Sequence, residues 1–194
     1  MQSDIVVSIL CPLSQRSLGR RTLVEQTGIT ESTVRTHLNK MKSLGWVDFA
    51  KAGTSLTQNG YEAFASLLDT IEHFSNQMNL ADLRLGERCC AIQLRGIHLP
   101  EVAWPLRDRA LQGGASGALL LQYQNGIVFA DTQDSLNVAA PDSTRTLEQT
   151  FLDLQNDDLI LIAFSDQLGP ASRGLARMLV QLFDIELDKH KLNA

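Results

Sequence analysis

The sequence predicts an α+β fold, in which a helical N-terminal part precedes a C-terminal part that mixes helices with strands. Helical apolar spacing, broken by proline and glycine, fills about the first 45 residues. Farther along, Asn125-Gly126, a dipeptide typical of tight β-hairpins, joins two apolar runs. Residues 159–164 have the length and composition of a buried strand. We expect an N-terminal domain over 1–62, a linking helix over 63–82 and an α+β domain over 83–194.

The composition is that of an ordinary globular protein. Of the 194 residues, 44% are apolar and 20% are charged. No apolar run approaches the roughly 18–20 residues that a membrane span needs. Three cysteines, an odd number without regular spacing, argue against a disulfide framework and for a reducing compartment. We expect a soluble cytoplasmic protein without a membrane partner, a metal or a cofactor.

Three helices are predicted at the start of the chain, over 3–11, 18–27 and 31–44. Pro12 ends the first helix, and Gly28 forms a tight turn between the second and the third. Thr30 precedes the third helix, where a hydroxyl side chain is favoured as the N-cap. Apolar side chains recur along this helix at three- and four-residue intervals, which predicts one buried face: Val34, Leu38, Met41 and Leu44.

A short hairpin is predicted directly after the third helix. Gly45 ends the helix, and residues 46–49 and 55–57 read as two short strands. The turn between them contains Lys51 and Gly53. The order helix, tight turn, helix and hairpin is that of a winged helix-turn-helix, which places its second helix in the major groove of duplex DNA.

The third helix carries most of the candidate DNA-binding side chains. Arg35 has the geometry to pair with guanine and Asn39 with adenine. Ser32 and Thr33 lie in the first turn, where hydroxyl and backbone donors meet phosphate. The complete candidate set is Arg20, Arg21, Ser32, Thr33, Arg35, Thr36, Asn39, Lys40 and Lys51.

The charge distribution agrees with this prediction. The chain has a net charge of −5, but residues 1–65 contain seven Lys or Arg and only five Asp or Glu, a net charge of +2. The remainder therefore carries −7. A mildly basic segment followed by an acidic one is expected if only the first segment meets DNA. The small excess predicts a modest, salt-dependent non-specific affinity.

The N-terminal motifs resemble those of known regulators. Segments 18–23, 28–35 and 38–47, followed by Leu56-Thr57 and Gly60, are similar to the winged-helix pattern of prokaryotic transcription regulators. The Leu18-Gly19-Arg20 opening and the later Gly114-Ala115-Ser116-Gly117 resemble archaeal regulators that join a winged helix to a C-terminal domain of uncertain role. The architecture is also similar to leucine-responsive regulators, although those lack a comparable wing. The resemblance implies transcription regulation.

A long helix is predicted from Tyr61 to about Asn79. Five apolar residues are spaced 3, 4, 3 and 4 apart, as in the seam of a coiled coil: Phe64, Leu67, Ile71, Phe74 and Met78. Two interpretations are open, because the seam could pack on its own domain or pair with a second chain. The second is favoured, since DNA readers usually bind two half-sites. This seam is therefore our candidate for homodimerisation.

The C-terminal segment predicts the order β-α-β-β-α-β followed by a helix. The strands cover 88–95, 118–124, 127–131 and 159–164, and the helices cover 100–112, 144–154 and 170–187. This order is that of a ferredoxin-like domain. Ser165 and Asp166 follow the last strand, and Ser172 and Arg173 lie in the first turn of the last helix. These four residues are the candidates for binding a small anionic ligand.

No pattern of catalytic residues is present in the sequence. The four histidines form no metal-spaced pair, and neither a nucleophile elbow nor a phosphate-binding loop occurs. We therefore expect a dimeric, sequence-specific DNA-binding regulator that is not an enzyme. Its C-terminal domain would sense a small-molecule effector or complete the dimer. The alternative is a winged helix that docks a protein, with the C-terminal domain as a scaffold.

Overall fold

The computed structural model describes residues 1–99 and 104–187. The predicted three helices and hairpin are present at the N-terminus, with ends shifted by one or two residues. Two short helices follow the hairpin. The helices are α1 (Ser3–Leu13), α2 (Arg20–Thr27), α3 (Glu31–Ser43), α4 (Gln58–Ala63) and α5 (Ala65–Leu68), and the hairpin strands are β1 (Val47–Ala50) and β2 (Gly53–Leu56).

The C-terminal part keeps the predicted order of strands and helices along the chain, with an additional strand at its start and an additional short helix before its last strand. Its elements are β3 (Ile71–Ser75), β4 (Arg88–Leu94), α6 (Trp104–Gln112), β5 (Gly117–Tyr123), β6 (Ile127–Phe129), α7 (Leu136–Ala139), α8 (Pro141–Thr150), β7 (Leu159–Ser165) and α9 (Leu168–Leu182). Residues 100–103 of the helix predicted over 100–112, and residues 188–194 of the predicted domain, lie outside the described residues.

The strands form an antiparallel sheet of order β3-β4-β7-β5-β6. The predicted ferredoxin-like arrangement is not confirmed. In that arrangement a hairpin strand separates the two strands that a helix connects, whereas here β7 lies between β4 and β5 and β6 is at the edge. Every residue of β7 is buried, which favours the centre of the sheet, while the three-residue β6 can remain an edge.

Helices cover both faces of the sheet. Alternate residues of β4 and β7 point to opposite faces, so that Cys90 packs with α6 and α9 while Cys89 packs with α7 and α8. The two neighbouring cysteines therefore lie on opposite faces of the sheet. The result is a three-layer domain whose central strands are buried on both sides.

The long helix predicted over 61–79 is not present, because α4, α5 and β3 occupy this segment. A β-bulge explains the misleading spacing. Ile71 pairs with Leu94 and Phe74 pairs with Ile92, so the extra residue between Ile71 and His73 places both apolar side chains on one face. The three-residue spacing of Ile71 and Phe74 is therefore that of a bulged strand, although it is the same as a helical spacing.

The five residues of the predicted dimerisation seam are distributed among separate cores of the same chain. Phe64 packs in the N-terminal core, Leu67 and Phe74 contact the α9 side of the sheet, and Met78 lies in the core under α8. Ile71 contacts both of the first two cores. Phe64, Leu67 and Met78 are buried within the chain, so the five residues do not form one continuous face.

Helix α1 belongs to both parts of the molecule. Nine of its eleven residues are buried. Ile9 and Leu10 pack against the N-terminal helices, whereas Val7 and Cys11 pack against α9 and the sheet. A helix with apolar side chains on opposite faces must be covered from both sides, and α1 lies between the two cores.

Polar contacts and close backbone packing reinforce this junction. The Ser8 hydroxyl donates to the Ser172 carbonyl at 3.3 Å, and the Arg177 Nε–H donates to Asp4 at 3.1 Å. Gly28, in the turn between α2 and α3, has a φ of +63° and lies directly against Gly169 of α9. A Cβ on Gly28 would stand 2.4 Å from the Gly169 nitrogen, so the approach requires glycine.

Gly28→Ala should therefore destabilise the protein more than an alanine at a comparable open position. Gly96 is the matched control, because its φ is +73° and nothing lies within 4 Å of its would-be Cβ. We expect Gly96→Ala to cost about 1–2 kcal/mol for the left-handed backbone, and Gly28→Ala to cost a further 1–3 kcal/mol, roughly, for the clash. Urea unfolding measures both values. Equal losses would show that the Gly28–Gly169 approach contributes nothing to stability.

A buried ion pair lies where β4 ends and β7 begins. Asp158 is 1% exposed and accepts two hydrogen bonds from Arg95, both of 2.9 Å, together with one from the Gln93 amide at 2.7 Å. The Gln155 N–H donates to the same carboxylate at 2.9 Å. Burial alone would raise the pKa of Asp158, but these donors outweigh it and hold the pKa below its ordinary value of 3.8.

Asp158→Asn should destabilise the protein by on the order of 3 kcal/mol at neutral pH, because it leaves Arg95 without its buried partner. A carboxylate whose folded pKa is depressed stabilises the fold above its unfolded pKa, and that contribution is lost as the pH falls through the folded value. The difference between wild type and variant should therefore shrink below about pH 4. Denaturant unfolding at pH 7 and pH 3 tests this.

The control for this experiment is Asp153→Asn, because Asp153 lies 3.7 Å from Arg95 but its side chain is 81% exposed. We expect a change of less than about 1 kcal/mol, as is usual for exposed ion pairs. A loss for Asp158→Asn that stays constant between pH 7 and pH 3 would contradict the assigned role of the ionised carboxylate.

Candidate nucleic-acid interface

Six of the nine predicted DNA-binding residues lie together on α3. Val34, Leu38 and Met41 are buried, and this apolar stripe fixes the orientation of the helix on the N-terminal core. The 3.6-residue period then turns the rest of the helix towards solvent. The exposed or partly exposed side chains include Ser32, Thr33, Arg35, Thr36, Asn39 and Lys40, all of which the sequence analysis selected.

Hydroxyl groups organise the first turn of α3. Thr30 occupies the N-cap position, as predicted, but its side chain donates to the Thr33 hydroxyl at 2.9 Å instead of capping a backbone N–H. The Thr36 hydroxyl donates to the Ser32 carbonyl at 2.9 Å. The helix therefore begins with a hydroxyl cluster beside unsatisfied backbone N–H groups, a combination that suits an anionic partner.

A small cleft separates α3 from the hairpin. Its volume is about 110 Å³, and its lining is formed by Arg20, Arg35, Leu38, Asn39, Phe49 and Thr54. We call it the α3–hairpin cleft. The structure thus brings together three residues of the predicted set, Arg20, Arg35 and Asn39, from two different helices.

Phe49 also lines this cleft, although it was not among the residues predicted from the sequence. Phe49 is 40% exposed although it pairs with buried Thr54 in the hairpin. Partners opposite each other in a hairpin share a face, so Phe49 lies on the inner face with Val47 and reaches past the edge of the core. The alternation of Val47 and Phe49 was the signal that could have identified it.

Ion pairs reduce the free positive charge around the cleft. Arg20 Nε lies 3.4 Å from Glu31, and Arg21 Nε lies 2.9 Å from Glu25. All four side chains are exposed, so these pairs are weak and can be exchanged for a phosphate. Lys51 is exposed in the hairpin turn, as predicted.

Lys42 connects α3 to the hairpin. Its ammonium group lies 3.2 Å from Asp48 and 4.6 Å from the centre of the Phe49 ring. The Phe49 N–H and then Lys42 lower the pKa of Asp48. Phe49 therefore contacts Lys42 and also lines the α3–hairpin cleft.

The four residues predicted to bind a small ligand are not brought together. Ser165 and Ser172 are buried, and Ser172 lies at the contact between α9 and α1. Asp166 lines an open cleft with Ser116 and Gly86. Arg173 lines a different cleft of about 320 Å³ between the start of α9 and the turn before α3. These side chains therefore face three separate environments.

The cysteine side chains are unsuited to nucleophilic chemistry. Burial raises the pKa of Cys11 to about 12 and that of Cys89 to about 11, and it raises the pKa of Cys90 as well. Across residues 1–99 and 104–187, no cluster of three His, Cys, Asp or Glu side chains is arranged to hold a metal ion. Within the same ranges, no helix is both long and apolar enough to cross a membrane.

Comparison with known families matches the N-terminal and C-terminal parts of the chain to two different families. The family described as "Domain of unknown function (DUF4443)" matches residues 85–182, slightly more than half of the chain. The chain belongs to the DUF4443 family. The matched segment of this DUF4443 protein runs from just before β4 to the end of α9.

A second family matches the N-terminal part of the DUF4443 protein. It is described as "CggR N-terminal DNA binding domain", and the match covers residues 8–71. This segment includes α2, α3 and the hairpin, and therefore the whole α3–hairpin cleft.

A solved structure has the same overall fold. A hypothetical protein from Pyrococcus horikoshii OT3 superposes with a TM-score of 0.72 at 22% sequence identity, and the match covers 97% of this chain and 96% of that one. The arrangement of the two parts thus recurs in a second protein of similar length. No curated protein matches the chain.

Proposed function

We propose that this protein is a sequence-specific DNA-binding transcription regulator that reads the major groove with α3. The observation that carries the proposal is the exposed polar face of α3 beside the hairpin, in a segment similar to a DNA-binding domain. The helix presents Arg35 and Asn39, the side-chain types that recognise guanine and adenine edges. In this proposal the protein has no catalytic role.

The dimensions of α3 suit this role. An α-helix with its side chains is roughly 10–12 Å across, and the major groove is about 12 Å wide. The thirteen residues of α3 extend about 20 Å, which is enough to cross the groove. The hairpin lies at the side of the helix, where its turn residue Lys51 can contact a neighbouring phosphate.

Phosphate contacts would come from the edges of the same surface. Arg20 and Arg21 begin α2, and Ser32 and Thr33 lie in the first turn of α3, so both helices present donors near their N-termini. Thr36 and Lys40 extend the polar face along α3. These contacts position the protein, while Arg35 and Asn39 distinguish the bases.

Homodimeric binding and an effector are further parts of the proposal. One recognition helix spans only a few base pairs, and two half-sites provide the specificity that a regulator needs. The pairing surface would lie outside the residues from Phe64 to Met78, because the chain itself buries Phe64, Leu67 and Met78. An effector would act by favouring one of two arrangements of the domains.

Arg35→Ala should weaken binding to the duplex most enriched from a random pool by about 5- to 150-fold, the range for loss of a base-reading arginine. Fluorescence anisotropy at fixed salt measures the dissociation constant. The matched control is Arg145→Ala, since Arg145 is an exposed arginine on α8, outside the proposed interface. We expect this control to bind like wild type.

Arg35→Lys separates base reading from simple charge attraction. Lysine keeps the positive charge but loses the planar fork that makes two parallel hydrogen bonds. We expect it to bind unrelated duplexes normally and the enriched duplex weakly. Wild-type affinity of Arg35→Ala for the enriched duplex would reject Arg35 as a base reader, and failure of the wild type to bind any duplex would favour the protein-docking alternative.

A further inference from the structure

The α3–hairpin cleft combines an apolar floor with a cationic and polar rim. Leu38 and the exposed part of the Phe49 ring supply apolar surface, and Arg20, Arg35 and Asn39 supply the polar groups. Phe49 is one of few large apolar side chains that the described part of the chain leaves exposed. This apolar surface lies beside the residues proposed to read bases.

We propose that this cleft receives the C5-methyl group of a thymine in the bound duplex, with Phe49 as the residue that recognises it. The inference rests on the proposed DNA-binding function and deepens it. It assigns to Phe49 a specificity that hydrogen-bonding side chains cannot provide, because a methyl group is recognised only by apolar contact.

Size and charge favour this occupant over a free small molecule. The cleft volume of about 110 Å³ lies well below the 300–1,000 Å³, roughly, of a typical small-molecule pocket. The edge of one base is small enough to enter. The two arginines on the rim would attract a polyanion, so an apolar group carried on DNA is the partner that satisfies both the floor and the rim.

The neighbours of Phe49 support a contact in the groove. Phe49 lies on the inner face of β1 opposite Thr54, and the Lys42 ammonium lies 4.6 Å from the ring centre. These contacts hold the ring in place before DNA arrives. Arg35 and Asn39 are one helical turn apart and both line the cleft, so a thymine against Phe49 would be next to a base pair that either of them reads.

The test removes the methyl group and the ring separately. Uracil replaces each thymine of the enriched duplex in turn, which deletes only the C5-methyl group. Wild-type protein should lose affinity about fourfold at one position of each half-site, the factor that corresponds to one buried methyl group. Phe49→Ala should bind the thymine and uracil duplexes equally, and Phe49→Leu should retain part of the discrimination.

Tyr61→Ala is the matched control, because Tyr61 is 41% exposed and does not line the cleft. This variant should show the same fourfold sensitivity as wild type. Circular dichroism checks that each variant is folded. Phe49→Leu keeps the proposal testable if Phe49→Ala does not fold.

Three outcomes would overturn the assignment. Uracil could have no effect at any position, or its effect could be the same in wild type and in Phe49→Ala. Tighter binding to a 5-methylcytosine·guanine pair at that position would assign the cleft to methylated cytosine. Each outcome leaves the general proposal intact as long as the wild type still binds the enriched duplex and Arg35→Ala still weakens that binding.

Discussion

The enclosure of α1 by two hydrophobic cores is the constraint on which the rest of the structure depends. Its buried apolar side chains are divided between the two cores, so neither the helical N-terminal part nor the sheet alone could cover it. Packing α1 between them joins the two parts through a continuous apolar interior. The close approach of Gly28 to Gly169 then ties the turn before α3 to the start of α9. The orientation of α3 relative to the sheet follows from these contacts.

The contact between Gly28 and Gly169 bears on the proposed regulatory function. A recognition helix on a flexible tether would bind DNA independently of the C-terminal domain, whereas α3 is linked to α9 by backbone contact next to its own N-terminus. A cleft of about 320 Å³ lies at this contact and is lined by Thr30 and Thr33 on one side and by Gln167 and Arg173 on the other. The start of α9 is therefore in direct contact with the turn that precedes the helix proposed to read DNA.

Elements that depend on local spacing could be predicted from the sequence, whereas elements that depend on distant contacts could not. The apolar period of Val34, Leu38 and Met41 predicted α3 and its exposed face, since both depend only on helical geometry. The segment after Phe64 was predicted as a helix because its apolar residues have helical spacing. In the strand this spacing comes from the bulge at Ile71, which depends on pairing with β4. The central position of β7 likewise depends on partners distant in sequence.

The most direct test of the central claim is the retention of random duplexes by the wild-type protein over a range of salt concentrations, with sequencing of the retained fraction. If α3 reads DNA, the retained pool should be enriched in one palindromic sequence, and its affinity should fall steeply and log-linearly with salt as phosphate contacts release counterions. No retention at low salt, or retention without enrichment of any sequence, would contradict sequence-specific recognition by this surface.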